Sequence, residues 1–316
     1  MNDANSVDAA VLVENLSRSF RGKQALRDVE LTIPTGSVFG LVGLNGAGKT
    51  TLIRHLMGLL KAKHGSVRVL GENPVESPER LLKRVGYMTE EDSLPKWMRV
   101  GDMLDFSAAI YPTWDNAYCS DLCDMFDLAR TSKLSEMSKG QRARVGLLIA
   151  IAHRPELLIL DEPSSGLDPI ARCDILEAII RTVSEDGRTV LFSSHLLDEV
   201  DRVCDSVALM TEGHIVESIT VERLESRYSE IICRPDSLWQ QPPQVTGILD
   251  WKSAGDEWSA VVDSELLTDQ SSLSGLPITQ KRNISLLRWF AARAGKSPAL
   301  DTTADLSNET QEANHV

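Results

Sequence analysis

The 316-residue chain reads as an α/β protein with a mainly parallel sheet covered by helices on both faces. Three observations carry this reading. Short apolar runs alternate with segments whose apolar residues recur at helical spacing. One run, "ELLILDEP" (Glu156 to Pro163), is almost continuously apolar before two acids, as a strand buried on both faces must be. A glycine-rich loop stands between a short apolar strand and an amphipathic helix, the place where an α/β sheet presents its loops to ligands.

In chain order, "SVFGLVG" (Ser37 to Gly43) is the first clear buried strand. It leads into "GKTTLIRHLMGLL" (Gly48 to Leu60), where Leu52, Ile53, Leu56, Met57 and Leu60 fall on one helical face. "SVRVLG" (Ser66 to Gly71) is a further short strand. From about 95 to 140 the texture is helical with no strand between, through "VGDMLDFSAAIY" and "NAYCSDLCDMFDLA", which makes this stretch a helical insert. "RTVLFSSH" (Arg188 to His195) repeats the buried-strand form, and "SVALM" and "HIVE" around "TEGH" read as a hairpin giving the sheet an antiparallel edge. The main α/β domain is placed at 1–218. A small α+β extension follows at 219–296, with "EIICRP", a hairpin turning at Ala254-Gly255-Asp256, and a last helix in "ISLLRWFAARAG". Residues 297–316 hold no Lys or Arg and four acids, the composition of a disordered tail.

Composition narrows the function classes. A net charge of −13 opposes binding to a phosphate backbone, so no nucleic-acid partner is expected. "MNDANSVDAA" lacks the basic and apolar stretches of a secretory leader. The best apolar run, "VGLLIAIA" (Val145 to Ala152), is far short of the roughly 20 residues that span a bilayer. Any membrane crossing is therefore expected in another chain or a separate segment. Five scattered cysteines (Cys119, Cys123, Cys173, Cys204 and Cys233) fit reduced, buried structural thiols rather than a metal site.

The chemistry begins with "GLNGAGKT", Gly43, Leu44, Asn45, Gly46, Ala47, Gly48, Lys49 and Thr50, which matches the G-x-x-x-x-G-K-[ST] phosphate loop. Its glycines let backbone N–H groups converge on anionic oxygens, and the helix starting near Lys49 adds its positive end. Lys49 supplies a point charge to the β- and γ-phosphates, and Thr50, followed by Thr51, offers a hydroxyl to Mg²⁺. The core is thereby a P-loop NTPase. Asp161 and Glu162 end the strand "LLILDE". The first can hold Mg²⁺ through water, and the second can polarise an attacking water.

The ordered set "GLNGAGKT", "MSKGQRARV", "LLILDEPSSGLDP" and "LFSSH" resembles the ATP-binding cassette ATPases, the nucleotide-binding subunits of ABC transporters. The resemblance covers roughly Val11 to Glu217. The texture "LPKWMRVGDML" to "YPTWD" and the small extension look most like exporter-type (ABC-2 type) bacterial subunits that pair with separate membrane chains. The resemblance implies that Phe20 stacks on adenine, against the plainer reading of a strand-end core residue. It implies that Ser138, Gly140 and Gln141 form the signature loop capping the partner's γ-phosphate, and that Asp168 links the two sites. His195 would contact the γ-phosphate. Lys139 stands where the consensus has glycine. Glu90 stands where the pattern has the glutamine that touches Mg²⁺ and water, with Glu91 or Thr89 as the one-residue alternatives and a solvent-facing Glu90 as the plainer reading.

The implied cofactors are ATP and Mg²⁺. The implied partners are an integral-membrane permease and a second copy of the chain in a head-to-tail ATP sandwich, working as a peripheral subunit on the cytoplasmic face of the membrane. Trp97, Met98, Met103, Tyr111 and Trp114 lie where such a permease would dock, or fill the insert's own core. A soluble ATPase of the same type, and a nucleotide-gated regulatory subunit without useful turnover, are the competing readings.

Overall fold

The computed structural model describes residues 8–90, 93–235, 239–267 and 273–295, with backbone alone over 182–186. Glu91, Asp92 and the acidic tail expected at 297–316 lie outside the described residues. The chain divides into two compact units, one running to Tyr228 with Ser285–Leu287, the other formed by Ser229–Ile284 and the chain from Arg288.

The first unit opens with two long strands, β1 (Ala9–Phe20) and β2 (Lys23–Pro34), then β3 (Val38–Val42), α1 (Lys49–Leu56), β4 (His64–Val69), α2 (Pro78–Leu82) and β5 (Val85–Met88). The helices α3 (Val100–Ile110), α4 (Asn116–Met125) and α5 (Lys139–Ala152) follow without an intervening strand. The αβ alternation resumes with β6 (Leu157–Asp161), α6 (Pro169–Asp186), β7 (Thr189–Ser194), α7 (Leu197–Val203), β8 (Ser206–Thr211), β9 (His214–Thr220) and α8 (Val221–Arg227).

The central sheet has the order β5-β6-β7-β3-β8-β9. It is parallel from β5 to β8, and β9 runs antiparallel at the edge. Every residue of β3, β6 and β7 is buried, which suits their apolar runs, and the polar residues at the C-terminal ends of β6 and β7 (Asp161, Ser193 and Ser194) are buried with them. Phe39, Leu41, Ile159 and Leu191 share one core cluster with Leu52, Ile53 and Leu56 of α1. Full burial of each such side chain contributes on the order of 1.5–3 kcal/mol. The α5 helix lies directly against β5, where a Cβ on Gly86 would meet the Ala150 carbonyl oxygen at 2.1 Å.

A second, antiparallel sheet of order β2-β1-β4 accounts for "SVRVLG", which pairs with β1 rather than joining the parallel sheet. The α1 helix ends at Leu56, short of the expected Leu60, because Gly58 takes a left-handed φ of 71° and closes the helix. The insert's last helix passes the expected limit at 140 and runs to Ala152. The first unit also passes 218. β9 keeps pairing with β8 to Thr220, and Val221 N donates to Asp205 O at 2.9 Å.

The second unit holds β10 (Tyr228–Cys233, from Ser229 on), β11 (Ile248–Ala254), β12 (Glu257–Asp263), β13 (Ile278–Asn283) and the α9 helix (Leu286–Ala294, from Arg288 on). Its antiparallel sheet has the order β11-β12-β10-β13. Trp239, Trp251 and Trp258 pack on the core of Ile231, Cys233, Ala260 and Val262. Of the five cysteines, four are buried, whereas Cys173 is exposed on α6. Among the described residues no helix is long and apolar enough to cross a membrane.

Candidate active site

The phosphate loop joins β3 to α1. Gly48 caps α1 with φ 113° and no side-chain cap, and a Cβ there would lie 2.8 Å from the Ala25 carbonyl oxygen. Glycine is therefore required at this position twice over, by conformation and by space. With no side-chain cap, the first-turn N–H groups of α1 stay available to an anion. Lys49 is only 5% exposed. Its Nζ donates to Gly43 O at 2.6 Å and lies 3.0 Å from Glu162 Oε1.

The carboxylates arrive from the neighbouring strand. The parallel register sets Asp161 of β6 beside Ser193 of β7, and Ser193 Oγ donates to Asp161 Oδ1 at 2.7 Å. Burial pushes the Asp161 carboxyl above its ordinary range, and the bonds from Ser193 and the Thr50 side chain oppose that push. Thr50 and Asp161 are thus already in contact. Their hard oxygen donors suit Mg²⁺. Among the described residues no set of three or more His, Cys, Asp or Glu could hold a metal ion alone, so such an ion would draw its remaining ligands from phosphate and water.

Glu162 follows the strand with a left-handed φ of 50°. Its N–H reaches Ser193 O at 3.1 Å and Ser193 Oγ at 3.0 Å. Its Oε2 lies 2.6 Å from His195 Nδ1 and accepts from His195 N at 3.3 Å. Oε1 faces Lys49 as an ion pair but has no directed hydrogen bond. The structure therefore brings Lys49, Glu162 and His195 into one chain of contacts, and links Asp161 to it through Ser193.

A cleft of about 760 Å³ lies over the loop, lined by Asn45 to Thr51, Lys23, Arg27, Glu162, Glu90 and the Glu212-Gly213 turn. That turn joins β8 to β9, and its two residues have φ 49° and 87°, as a tight hairpin requires. It is stitched to the loop by Gly213 N→Ala47 O at 2.8 Å and to β2 by Arg27 N→Gly213 O at 2.7 Å. Phe20 ends β1 with 41% of its surface exposed and the Arg18 guanidinium 4.8 Å from its ring centre. It is therefore not the core residue of the plainer reading.

Ser138, Gly140, Gln141 and Asp168 are not brought to this cleft within the chain. Ser138 caps α5 through a reciprocal pair, Gln141 N→Ser138 Oγ at 3.2 Å and Ser138 N→Gln141 Oε1 at 2.8 Å. Asp168 Oδ1 accepts from Ile170 N and Ala171 N, both at 3.0 Å. The Ala171 bond foremost holds its carboxyl below the ordinary range. Gly140 is buried beside Asp168, so the two segments meet each other at the N-terminal ends of α5 and α6.

A separate groove of about 130 Å³ runs between β5, α3 and α5, lined by Tyr87, Met88, Glu90, Met103, Lys139, Arg142 and Ser165 among others. Of the candidate docking residues Met103 reaches this groove, Trp97 is 82% exposed, and Tyr111 stacks on buried His153 at 4.0 Å.

Sequence reasoning missed Glu199. It is 1% exposed and accepts from Ser164 Oγ at 2.6 Å and Ser194 Oγ at 3.2 Å, with Arg172 Nε at 3.1 Å. It ties the segments carrying Glu162 and His195 to each other. The signal available was an acid between Leu197 and Val200 on a helix face that must be apolar.

A sequence model of the family described as ABC transporter matches residues 26–165. The chain is 30% identical over 219 residues to the ABC transporter ATP-binding protein YtrB of Bacillus subtilis (strain 168), covering 69% of this chain and 75% of that one. It is 31% identical over 223 residues to the bacitracin transport ATP-binding protein BcrA of Enterococcus faecalis, covering 70% and 72%. A solved ATP-binding subunit of an ABC transporter superposes with TM-score 0.63 at 29% identity, over 69% of this chain and 92% of that chain. The ATP-binding cassette MJ0796, solved as a post-hydrolysis dimer with ADP and Pi, shares the fold with TM-score 0.61 at 20% identity, over 67% and 98%.

Proposed function

The chain belongs to the ATP-binding subunits of ABC transporters, and from that premise we propose how its residues bind ATP, hydrolyse it and pass on the result. ATP binding and hydrolysis come with the family. The assignment of each step to a side chain is our reading, and the contact chain Lys49–Glu162–His195 beside the phosphate loop carries it.

The loop from Gly43 to Thr51 cradles the triphosphate, with Phe20 as the surface on which adenine stacks. Lys49 exchanges its ion pair with Glu162 for the β- and γ-phosphates. That exchange leaves Glu162 free to accept a proton from the attacking water. His195, already on Glu162 Oε2, steadies that carboxylate and faces the γ-phosphate. Thr50 and Asp161 would hold Mg²⁺, and Glu90 is the further candidate on the cleft wall. The ion would neutralise charge on the β- and γ-oxygens when bound. Ser138, Gly140, Gln141 and Asp168 lie outside the chain's own cleft, which supports their serving a second copy in a head-to-tail sandwich. Closure of that dimer would drive a separate membrane-spanning permease from the cytoplasmic face. The likeness to exporter-type subunits read from the sequence favours export, and the relative BcrA is described as a bacitracin transport protein.

The test is co-purification of the tagged chain with a multi-span membrane protein, with steady-state ATPase of the pair measured beside Glu162→Gln. Capture of the permease with hydrolysis abolished in Glu162→Gln is expected. Hydrolysis that persists in Glu162→Gln, or that needs a different second ATPase chain, refutes the assignment.

A further inference from the structure

Glu90 and Lys139, the two residues that depart from the pattern described above, meet at a third residue. Ser165 Oγ donates to Glu90 Oε1 at 3.2 Å, and the Ser165 carbonyl accepts from Lys139 Nζ at 2.6 Å. The polarity is matched on both sides. The hydroxyl serves the acid and the carbonyl serves the base, so one residue bridges two opposite charges without bringing them into contact. The neighbouring Gly166 has φ +65°, and a Cβ there would sit 2.7 Å from Lys139 Nζ. The lysine thus passes over a residue without a side chain to reach its acceptor. All three bridge members line the groove between β5 and α5, and Glu90 also lines the nucleotide cleft.

We propose that Lys139, Ser165 and Glu90 form a clasp that holds Glu90 on the groove side and ties the first turn of α5 to the loop after β6. Lys139 is a positioning residue that acts on Glu90 through Ser165. Glu90 stands between two competing demands, the Ser165 hydroxyl and the cation that accompanies ATP. When Glu90 turns to the cation, Ser165 loses its acceptor and the bridge between the end of β5 and α5 is broken. Nucleotide state is thereby coupled to groove geometry inside one chain. The cation part of this inference rests on the proposed function, whereas the clasp itself does not.

The test uses the full-length chain with Lys139→Ala, Ser165→Ala, Glu90→Gln and the Lys139→Ala/Glu90→Gln double variant. In the nucleotide-free chain, hydrogen exchange over 85–90 and 162–168 should rise about threefold or more in Lys139→Ala and in Ser165→Ala, and less in Glu90→Gln, whose amide oxygen still accepts from Ser165. It should rise no further in the double. In equilibrium ATP binding, the Mg²⁺ concentration giving half the effect should fall about threefold in Lys139→Ala, and this change should vanish in the Glu90→Gln background. Lys139→Arg should restore both readouts. Unchanged exchange in the single variants, or effects that add in the double, would overturn the clasp. Absence of ATP binding in the unaltered chain would refute the proposed function instead, and the exchange measurement would still decide the clasp.

Discussion

Two carboxylates in this molecule are equally buried and differently bonded. Glu162 in the first unit and Glu230 in the second are each 5% exposed. Glu230 is matched at both oxygens by guanidinium groups, Arg288 Nε on Oε1 at 3.0 Å and Arg282 Nε on Oε2 at 2.7 Å. Burial pushes its carboxyl upward, but the bonds from Arg282 and Arg288 outweigh it and hold the group below its ordinary range. Glu162 has the imidazole of His195 on one oxygen and an undirected ion pair with Lys49 on the other. A buried charge is tolerated when it is fully bonded. One that keeps an oxygen free of directed bonds is available for exchange. At equal burial, the hydrogen bonds distinguish a carboxylate braced at both oxygens from one with an oxygen left for exchange.

The comparison breaks most visibly in rate. Glu162→Gln should lower steady-state ATP hydrolysis by about 10²–10⁴-fold, with ATP binding retained in an equilibrium assay. Glu230→Gln should leave hydrolysis unchanged. Lys49→Ala should cost the first unit about 3–5 kcal/mol in denaturant unfolding, because the Glu162 charge is left buried with less compensation. Adding Glu162→Gln to Lys49→Ala should recover part of that loss, and a purely additive double variant would show that the pair is not coupled. Glu230→Gln should cost about 1.5–3 kcal/mol, read from the fluorescence of the second unit's tryptophans in urea.

The same reasoning gives a pH dependence. Glu230 has a folded value depressed below the ordinary 4.5. Its contribution is complete above about pH 4.5 and is lost as pH falls through the folded value. Acid titration of that tryptophan signal should flatten in Glu230→Gln. The smallest effect is expected at Ser138→Ala, about 1 kcal/mol from the lost helix cap. It should also weaken the concentration dependence of ATPase activity if Ser138 serves a second copy.

The α/β fold was legible because parallel strands buried on both faces need apolar runs, and β3, β6 and β7 carry them at 38–42, 157–160 and 190–192. The phosphate loop was legible because its backbone geometry demands glycine at fixed spacing. β13, "ITQKRN", was not legible as a strand, since all its residues after Ile278 are exposed and polar. Its place is set by pairing with β10 across 52 residues, from Glu230 to Arg282, and no local pattern records such a partner. The Glu212-Gly213 turn was readable as a hairpin, but not as part of the cleft wall, because that role depends on its bond to Ala47. The departures at Glu90 and Lys139 were visible singly. Only the fold shows that both reach Ser165.

The left-handed backbone of Glu162 bears on how this chain tolerates change over generations. A bulky residue held there carries a penalty of about 1–3 kcal/mol that glycine avoids and asparagine lessens. Glycine or asparagine at 162 would therefore relieve the chain while removing the carboxylate proposed above to act on water. Under selection for abundance alone, the site would drift first toward glycine or asparagine, and such descendants would be the more stable proteins. Comparing the thermal stability of Glu162→Gly with that of Glu162→Gln would measure how much backbone strain the glutamate holds.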